Sequence, residues 1–254
     1  MKVVRTIGEL ELDGEVGLVP TMGAFHAGHV SLFEAARAEN DIVVASLFVN
    51  PAQFDEESDL ARYPRDEGRD AEIAAATGVD VLFAPSADEM YPAGFSTWVD
   101  PGSTGSEGSA RPGHFRGVAT VCLKLFNIVR PSRAYFGQKD AQQVAVVRRM
   151  VLDLDLGVRV RVLPTVRDED GLALSSRNVL LSPSERERAL GLPRALAGAV
   201  GADDPVAAAR AALNGLEPDY VDVLDLGGAR VLAAAVRVGS VRLIDNVIVK
   251  GALP

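Results

Sequence analysis

Apolar positions in the first two thirds of the chain fall into short runs, separated by longer stretches with helical spacing. The runs Val16–Val19, Ile42–Val49, Val79–Phe83, Ala134–Gly137 and Val158–Leu163 are too short for helices. Most lack the apolar and polar alternation of a half-exposed strand, so they predict strands covered on both faces. Between them Val30–Ala38, Arg65–Thr77, Gly117–Val129 and Ala141–Leu152 carry apolar residues three and four apart and predict helices. This alternation predicts an α/β fold, a Rossmann-like parallel sheet over residues 1–165 with helices on both faces. After Val166 the texture changes. Ser182-Pro183-Ser184-Glu185 reads as a capping box with proline in the first turn. Two Ala- and Arg-rich helices follow at Pro183–Val200 and Pro205–Leu216, the second capped by Asp204. Tyr220–Leu224 and Val241–Val249 then predict strands, with a turn at Asp245-Asn246. Residues 166–254 are thus expected to form a smaller α+β lid domain.

In doubly covered parallel sheets ligands collect at the carboxyl ends of the strands. Three loops there carry chemistry. The first, PTMGAFHAGH at 20–29, follows the first strand and opens a helix, placing His26 and His29 three apart around Gly28. A helix start offers unpaired N–H groups and partial positive charge, so it favours phosphate, and two imidazoles can add donors. The second is Asn50-Pro51-Ala52-Gln53-Phe54, whose amides both donate and accept and so suit a substrate with hydroxyls and a carboxylate. The third is Gly137-Gln138-Lys139-Asp140, with Gln143 about one helical turn beyond Asp140. There a lysine can meet phosphate and an aspartate can accept from ribose hydroxyls. Leu174-Ser175-Ser176-Arg177 adds two hydroxyls and a guanidinium suited to a triphosphate. The polar segment 55–66, ahead of Tyr63-Pro64, reads either as a lid or as a solvated loop.

Composition narrows the class. A chain of 254 residues with 48% hydrophobic and 24% charged content can bury a core without disulfide or metal. Its single cysteine, Cys122, lies in an apolar helical stretch and reads as core, consistent with a reducing compartment. The net charge of −9 disfavours nucleic acid and anionic membrane as partners. No apolar run is long enough to cross a bilayer, and no basic-then-apolar leader opens the sequence, so a cytoplasmic protein is expected. Charge is uneven, however: Arg111–Met150 holds eight Lys or Arg against one acid, Asp140. The third of three histidines, His114, lies there in RPGHFRG. With only four lysines in the chain, Lys139 in a glycine turn points to a localised anion site.

The ordered set PTMGAFHAGH, NPAQF, YPRD, RPGHFRG, FGQKDAQQ and DGLALSSRN spans almost the whole chain. It resembles the pantothenate synthetases, the pantoate beta-alanine ligases of coenzyme A biosynthesis. These belong to the wider superfamily of nucleotidyltransferases and class I aminoacyl-tRNA synthetases, whose H-x-G-H loop is matched by His26, Gly28 and His29. The resemblance implies that Met22, Gly23, His26, Gly28 and His29 hold ATP phosphates, with His26 as proton donor. It implies that Gly137, Lys139 and Asp140 hold adenine, phosphate and ribose, with Val166 at the base. Leu174, Ser175, Ser176 and Arg177 would form the counterpart of the superfamily's mobile phosphate loop. His26, His29, Lys139 and Arg177 would be the catalytic groups. Gln53 and Gln143 would bind pantoate, Gln53 also approaching beta-alanine, while Asn50, Tyr63, Arg111 and His114 line the site. Asp70 would neighbour Mg²⁺, itself held mainly by ATP phosphates and water.

The implied reaction has two steps, formation of pantoyl adenylate and then its aminolysis by beta-alanine, in a homodimer. A site rich in His, Lys, Arg and backbone N–H but without a poised nucleophile suits such chemistry. Three positions depart from the family pattern. Ala52 replaces the usual Met and makes the pantoate wall roomier, Gln138 replaces Glu, and Arg69 stands where an acid can occur, against a metal there. A nucleotidyltransferase acting on a phosphate, and a nucleotide-binding regulator without activity, are the competing readings. The paired glutamines and the second domain favour the ligase, and a pyrophosphate assay requiring both pantoate and ATP separates all three.

Overall fold

A computed structural model describes residues 1–55, 57–102, 105–226 and 228–252. Six parallel strands make the large sheet: β1 (Lys2–Val4), β2 (Val16–Thr21), β3 (Ile42–Leu47), β4 (Val81–Phe83), β5 (Arg133–Gly137) and β6 (Arg159–Leu163). Their order is β1-β4-β3-β2-β5-β6. The connections carry α1 (Ala27–Glu39), α2 (Glu57–Arg62), α3 (Glu67–Ala76), α4 (Ala87–Met90), α5 (Gly105–Ala110), α6 (His114–Val129) and α7 (Ala141–Asp153). A strand has a period of two, so each one feeds both faces. Leu18, Val44, Phe83 and Phe136 pack with Val118, Cys122, Phe126 and Val147 of α6 and α7. Val19, Val43, Leu82 and Tyr135 pack on the other face with Phe33 and Ala36 of α1 and Ala74 of α3. Burial on both sides is why these strands read as continuous apolar runs.

The strand order turns at β2, which pairs with β3 on one side and β5 on the other. The loops leaving the carboxyl ends of β2 and β5 therefore face each other across a crevice. Those loops are 22–26 and 137–140, and this juxtaposition builds the site.

The C-terminal part contains α8 (Pro183–Ala189), α9 (Gly191–Gly198) and α10 (Pro205–Ala212), then an antiparallel sheet in the order β7 (Glu217–Asp225), β8 (Ala229–Val238), β9 (Val241–Gly251). The Ser182 and Glu185 capping box forms, and the Asp204 side chain accepts from Ala207 N at 3.0 Å, both as expected. Other expectations need correction. The helix over 183–200 is two helices, because Pro193 lacks an N–H and its ring opposes the carbonyl of Ala189, where α8 ends. The central strand β8 escaped the reading: ARVLAAAVRV is alanine-rich and buried on both faces, so it shows neither β-propensity nor alternation. The turn assigned to Asp245-Asn246 does not exist. Both residues lie inside β9, and the chain reverses at Gly239-Ser240, where Gly239 has φ of 60°. Segment 55–66 contains α2, and its Glu56 lies outside the described residues. Among the described residues no helix is long and apolar enough to cross a membrane.

Candidate active site

The H-x-G-H loop is shaped by its neighbours before any ligand enters. Thr21 closes β2 by donating Oγ1–H to Ser46 O at 2.5 Å. The chain then turns through Gly23 at φ 88° and Ala24 at φ 53°, the latter in the left-handed region that disfavours a side chain. Asp70, 1% exposed on α3, holds this turn: its two oxygens accept from Ala24 N at 2.8 Å and Phe25 N at 2.7 Å. Arg69 beside it donates to Phe25 O at 3.2 Å. Asp70, expected beside a metal, has both oxygens committed to backbone. Among the described residues no three His, Cys, Asp or Glu side chains gather as a metal site.

His26 is the N-cap of α1. Its Nδ1 accepts from Gly28 N at 3.1 Å, and Nδ1 of His29 accepts from His26 N at 3.3 Å. Two backbone donors thus fix both rings with their proton on Nε2. The rings lie 4.2 Å apart. Burial, then the charge of Lys139, lowers the His26 pKa to about 4. Burial, then His26 and Lys139, lowers that of His29 to about 3. Both are neutral at pH 7, so they offer N–H groups without charge, and the expected proton donor at position 26 is an imidazole rather than an imidazolium. Gly28 has a steric reason of its own, since a Cβ there would meet the His26 ring at 2.9 Å.

Lys139 sits in the 3-10 turn after β5, its Nζ 3.2 Å from Asp140 Oδ1. Across the crevice, Val166 O accepts from Leu174 N at 3.0 Å and closes the base of the Ser175–Arg177 loop. Ser176 Oγ donates to Tyr63 Oη at 3.3 Å. Arg177 pairs with Asp59 of α2 at 2.9 Å and lies 5.6 Å over the Tyr63 ring. The segment around α2 is thereby tied to the loop that carries the guanidinium.

Gln53, 8% exposed, accepts on Oε1 from Asn50 Nδ2 at 3.0 Å and places Nε2 3.1 Å from Met22 Sδ. Asn50 is fully committed. Its Oδ1 takes Ala52 N and the Tyr91 hydroxyl, and its Nδ2 also donates to Gly117 O. Arg111 Nη2 and His114 Nδ1 both donate to Gln53 O, at 3.2 and 2.8 Å. Asn50, Arg111 and His114, expected to line the site, therefore also hold Gln53 in place. Burial, then Arg111, lowers the His114 pKa to about 4.

One cavity of about 350 Å³ is lined by these residues together with Gln143, and among the expected site residues only Gly23 and Asp70 stay outside it. Asn246, Asp245, Asp59 and Tyr220 also line it and were missed from sequence. For Asp245 and Asn246 a signal existed, a polar pair inside an apolar run, but it was read as a turn.

A glycine and histidine loop, a lysine turn and a serine and arginine loop, meeting at the reversal point of a parallel sheet, define an ATP-using nucleotide-binding α/β enzyme. The family model described as Pantoate-beta-alanine ligase matches residues 2–248. The chain belongs to this family of ligases. A pantothenate synthetase from Roseiflexus castenholzii is 53% identical, with 98% of this chain and 100% of that protein covered. The pantothenate synthetase structure from Thermus thermophilus superposes with a TM-score of 0.91 at 46% identity, covering 98% of this chain and 99% of that one. The Francisella tularensis pantoate-beta-alanine ligase, described as complexed with beta-gamma ATP and beta-alanine, gives 0.85 at 36% identity, covering 98% and 97%.

Proposed function

We propose that the chain joins pantoate to beta-alanine at the expense of ATP, through a pantoyl adenylate, releasing pyrophosphate and then AMP. The observation that carries this reading is that one cavity gathers two kinds of group. His26, His29, Lys139, Ser175, Ser176 and Arg177 line it and suit phosphates, and Gln53 and Gln143 line it and suit the hydroxyls and carboxylate of pantoate. In the first step a pantoate carboxylate oxygen attacks the α-phosphorus and pyrophosphate leaves. In the second the amine attacks the acyl carbon, and AMP departs carrying that carboxylate oxygen. No side chain needs to become acylated. The neutral Nε2–H groups of His26 and His29 donate to phosphate oxygens, Lys139 and Arg177 meet the charge that grows in the transition state, and the amides orient pantoate. Asp140 accepts from the ribose, and Val166 and Gly137 flank the base.

Magnesium would enter with ATP, held mainly by its phosphates and water. Residues 1–165 are the nucleotide and pantoate domain and residues 166–254 the lid, in a cytoplasmic homodimer. Pantoate labelled with ¹⁸O in its carboxylate tests the central claim: full turnover should place label in AMP. Without beta-alanine, ATP and pantoate should release one equivalent of pyrophosphate and leave the adenylate held in the cavity, shielded from water. AMP free of label would refute carboxylate adenylation.

A further inference from the structure

Asp245 and Asn246 lie side by side in the middle of β9, each 2% exposed. Opposite them β8 presents Ala234 and Ala233, which offer no side-chain partner. Burying a carboxylate and an amide in a strand is unfavourable unless both are fully bonded. Both are bonded; apart from the Asn246 N–H, which Asp245 Oδ1 accepts at 2.8 Å within β9, their side-chain partners belong to the site loops rather than to the small sheet. Asn246 Nδ2 donates to the carbonyl oxygens of Gln138 and Lys139, both at 2.9 Å, and its Oδ1 accepts from Gln138 Nε2 at 3.2 Å. Asp245 takes the two arms of Arg167 at 2.6 and 3.1 Å, and the same guanidinium donates to Gly171 O at 3.2 Å. Arg167 is bridged through its backbone to Ala173, next to Leu174. Successive side chains of a strand leave on opposite faces. Two neighbours can therefore grip two different loops.

We propose that Asp245 and Asn246 are a positioning pair for the adenylation step. Asn246 fixes the turn that carries Lys139, and Asp245, through Arg167, fixes the base of the loop that carries Ser175, Ser176 and Arg177. One rigid strand thus sets the spacing between the two cations that meet the phosphates. Gln138 fits the same arrangement: as an amide it supplies the N–H that Asn246 Oδ1 accepts, which a glutamate could not donate. The proposal rests on the phosphate roles of Lys139 and Arg177 given above.

The test measures pyrophosphate release from ATP and pantoate in two backgrounds. Asn246→Ala should slow release roughly tenfold to hundredfold while changing pantoate affinity less than about twofold, the scale of a small misplacement of a reacting group. On a Lys139→Ala background the same change should cost less than about threefold, because residues that act through one another are not additive. Asp245→Asn should behave in the same way against Arg177→Ala. An impaired Lys139→Ala enzyme on which Asn246→Ala still costs its full factor overturns the positioning role alone. A Lys139→Ala enzyme of undiminished rate removes the phosphate role of Lys139, and the positioning proposal with it. If Asn246→Ala does not fold, Asn246→Ser, which keeps one donor, carries the same comparison. Failure of Asn246→Ser to fold as well makes Asn246 a stability residue and overturns the proposal too.

Discussion

Replacing Asp70 separates two roles that sequence alone confuses. In the structure its carboxylate accepts from the amides of Ala24 and Phe25, at 2.8 and 2.7 Å, in a turn where Ala24 is left-handed. Asp70→Ala leaves two N–H groups in a pocket where the carboxylate was 1% exposed. Hydrogen bonds to a charged acceptor are worth about 1.5–3 kcal/mol each, so the loss of two should total roughly 3–6 kcal/mol. Asp70→Asn keeps one acceptor oxygen and should lose about half as much. Urea unfolding of the free protein, without ATP or magnesium, reads this directly. Because the turn leads into His26, adenylation by Asp70→Ala should also fall by about a hundredfold. A metal-neighbour role predicts the opposite pattern: free-protein stability within about 0.5 kcal/mol of the parent, as for an ordinary peripheral change, and a raised magnesium requirement. An unchanged urea midpoint would refute the loop-holding argument.

Three further outcomes are expected. Lys139→Ala should lower adenylation by about two to three powers of ten, the effect of removing one donor aimed at developing charge, and an unchanged rate would make Lys139 structural. Gln53→Ala and Gln143→Ala should weaken pantoate in calorimetry while leaving ATP nearly intact, because only the ligand built to pair with those amides loses partners; equal weakening of ATP would remove the assignment. Imidazole ¹³C NMR should find none of the three histidines titrating near 6.5, since burial lowers all three, to about 4, 3 and 4. The unfolded chain binds those protons at about 6.5, so their contribution to stability is complete above that pH and is lost as pH falls toward the folded values, by up to about 1.4 kcal/mol per pH unit for each histidine. A native imidazole with an ordinary midpoint would contradict the burial of these rings.

The sheet was legible because its central strands are buried on both faces and read as short apolar runs, while helices such as α1 and α3 bury one stripe at helical spacing. β1 was not, since three residues with an exposed lysine carry no period. The histidines, Lys139 and the glutamines that the cavity gathers were picked out by residue type and loop position. Residues that act by holding others were harder to read. Asp70 resembles any acid on a helix, and its value depends on two amides 45 and 46 residues earlier in the chain. Asp245 and Asn246 were assigned to a turn because local propensity favours it, while their partners lie 78 and about 108 residues away. Tertiary pairing overrode propensity there.

The charges of the site follow one logic. Two imidazolium rings 4.2 Å apart beside Lys139 would repel one another in a buried place, and both rings are neutral instead. In the proposed reaction cationic stabilisation falls to Lys139 and Arg177, and each rests against a carboxylate: Asp140 at 3.2 Å and Asp59 at 2.9 Å. These four side chains keep 20–42% of their surface exposed. Ion pairs that wet are worth only about 0–1 kcal/mol, so exchanging carboxylate for a triphosphate oxygen costs little. For Arg177 the exchange has a second consequence, because its resting partner belongs to α2. In that proposal a phosphate that draws the guanidinium away from Asp59 also breaks a tie between that helix and the Ser175–Arg177 loop, while the Ser176–Tyr63 hydrogen bond still joins the loop to the segment after the helix.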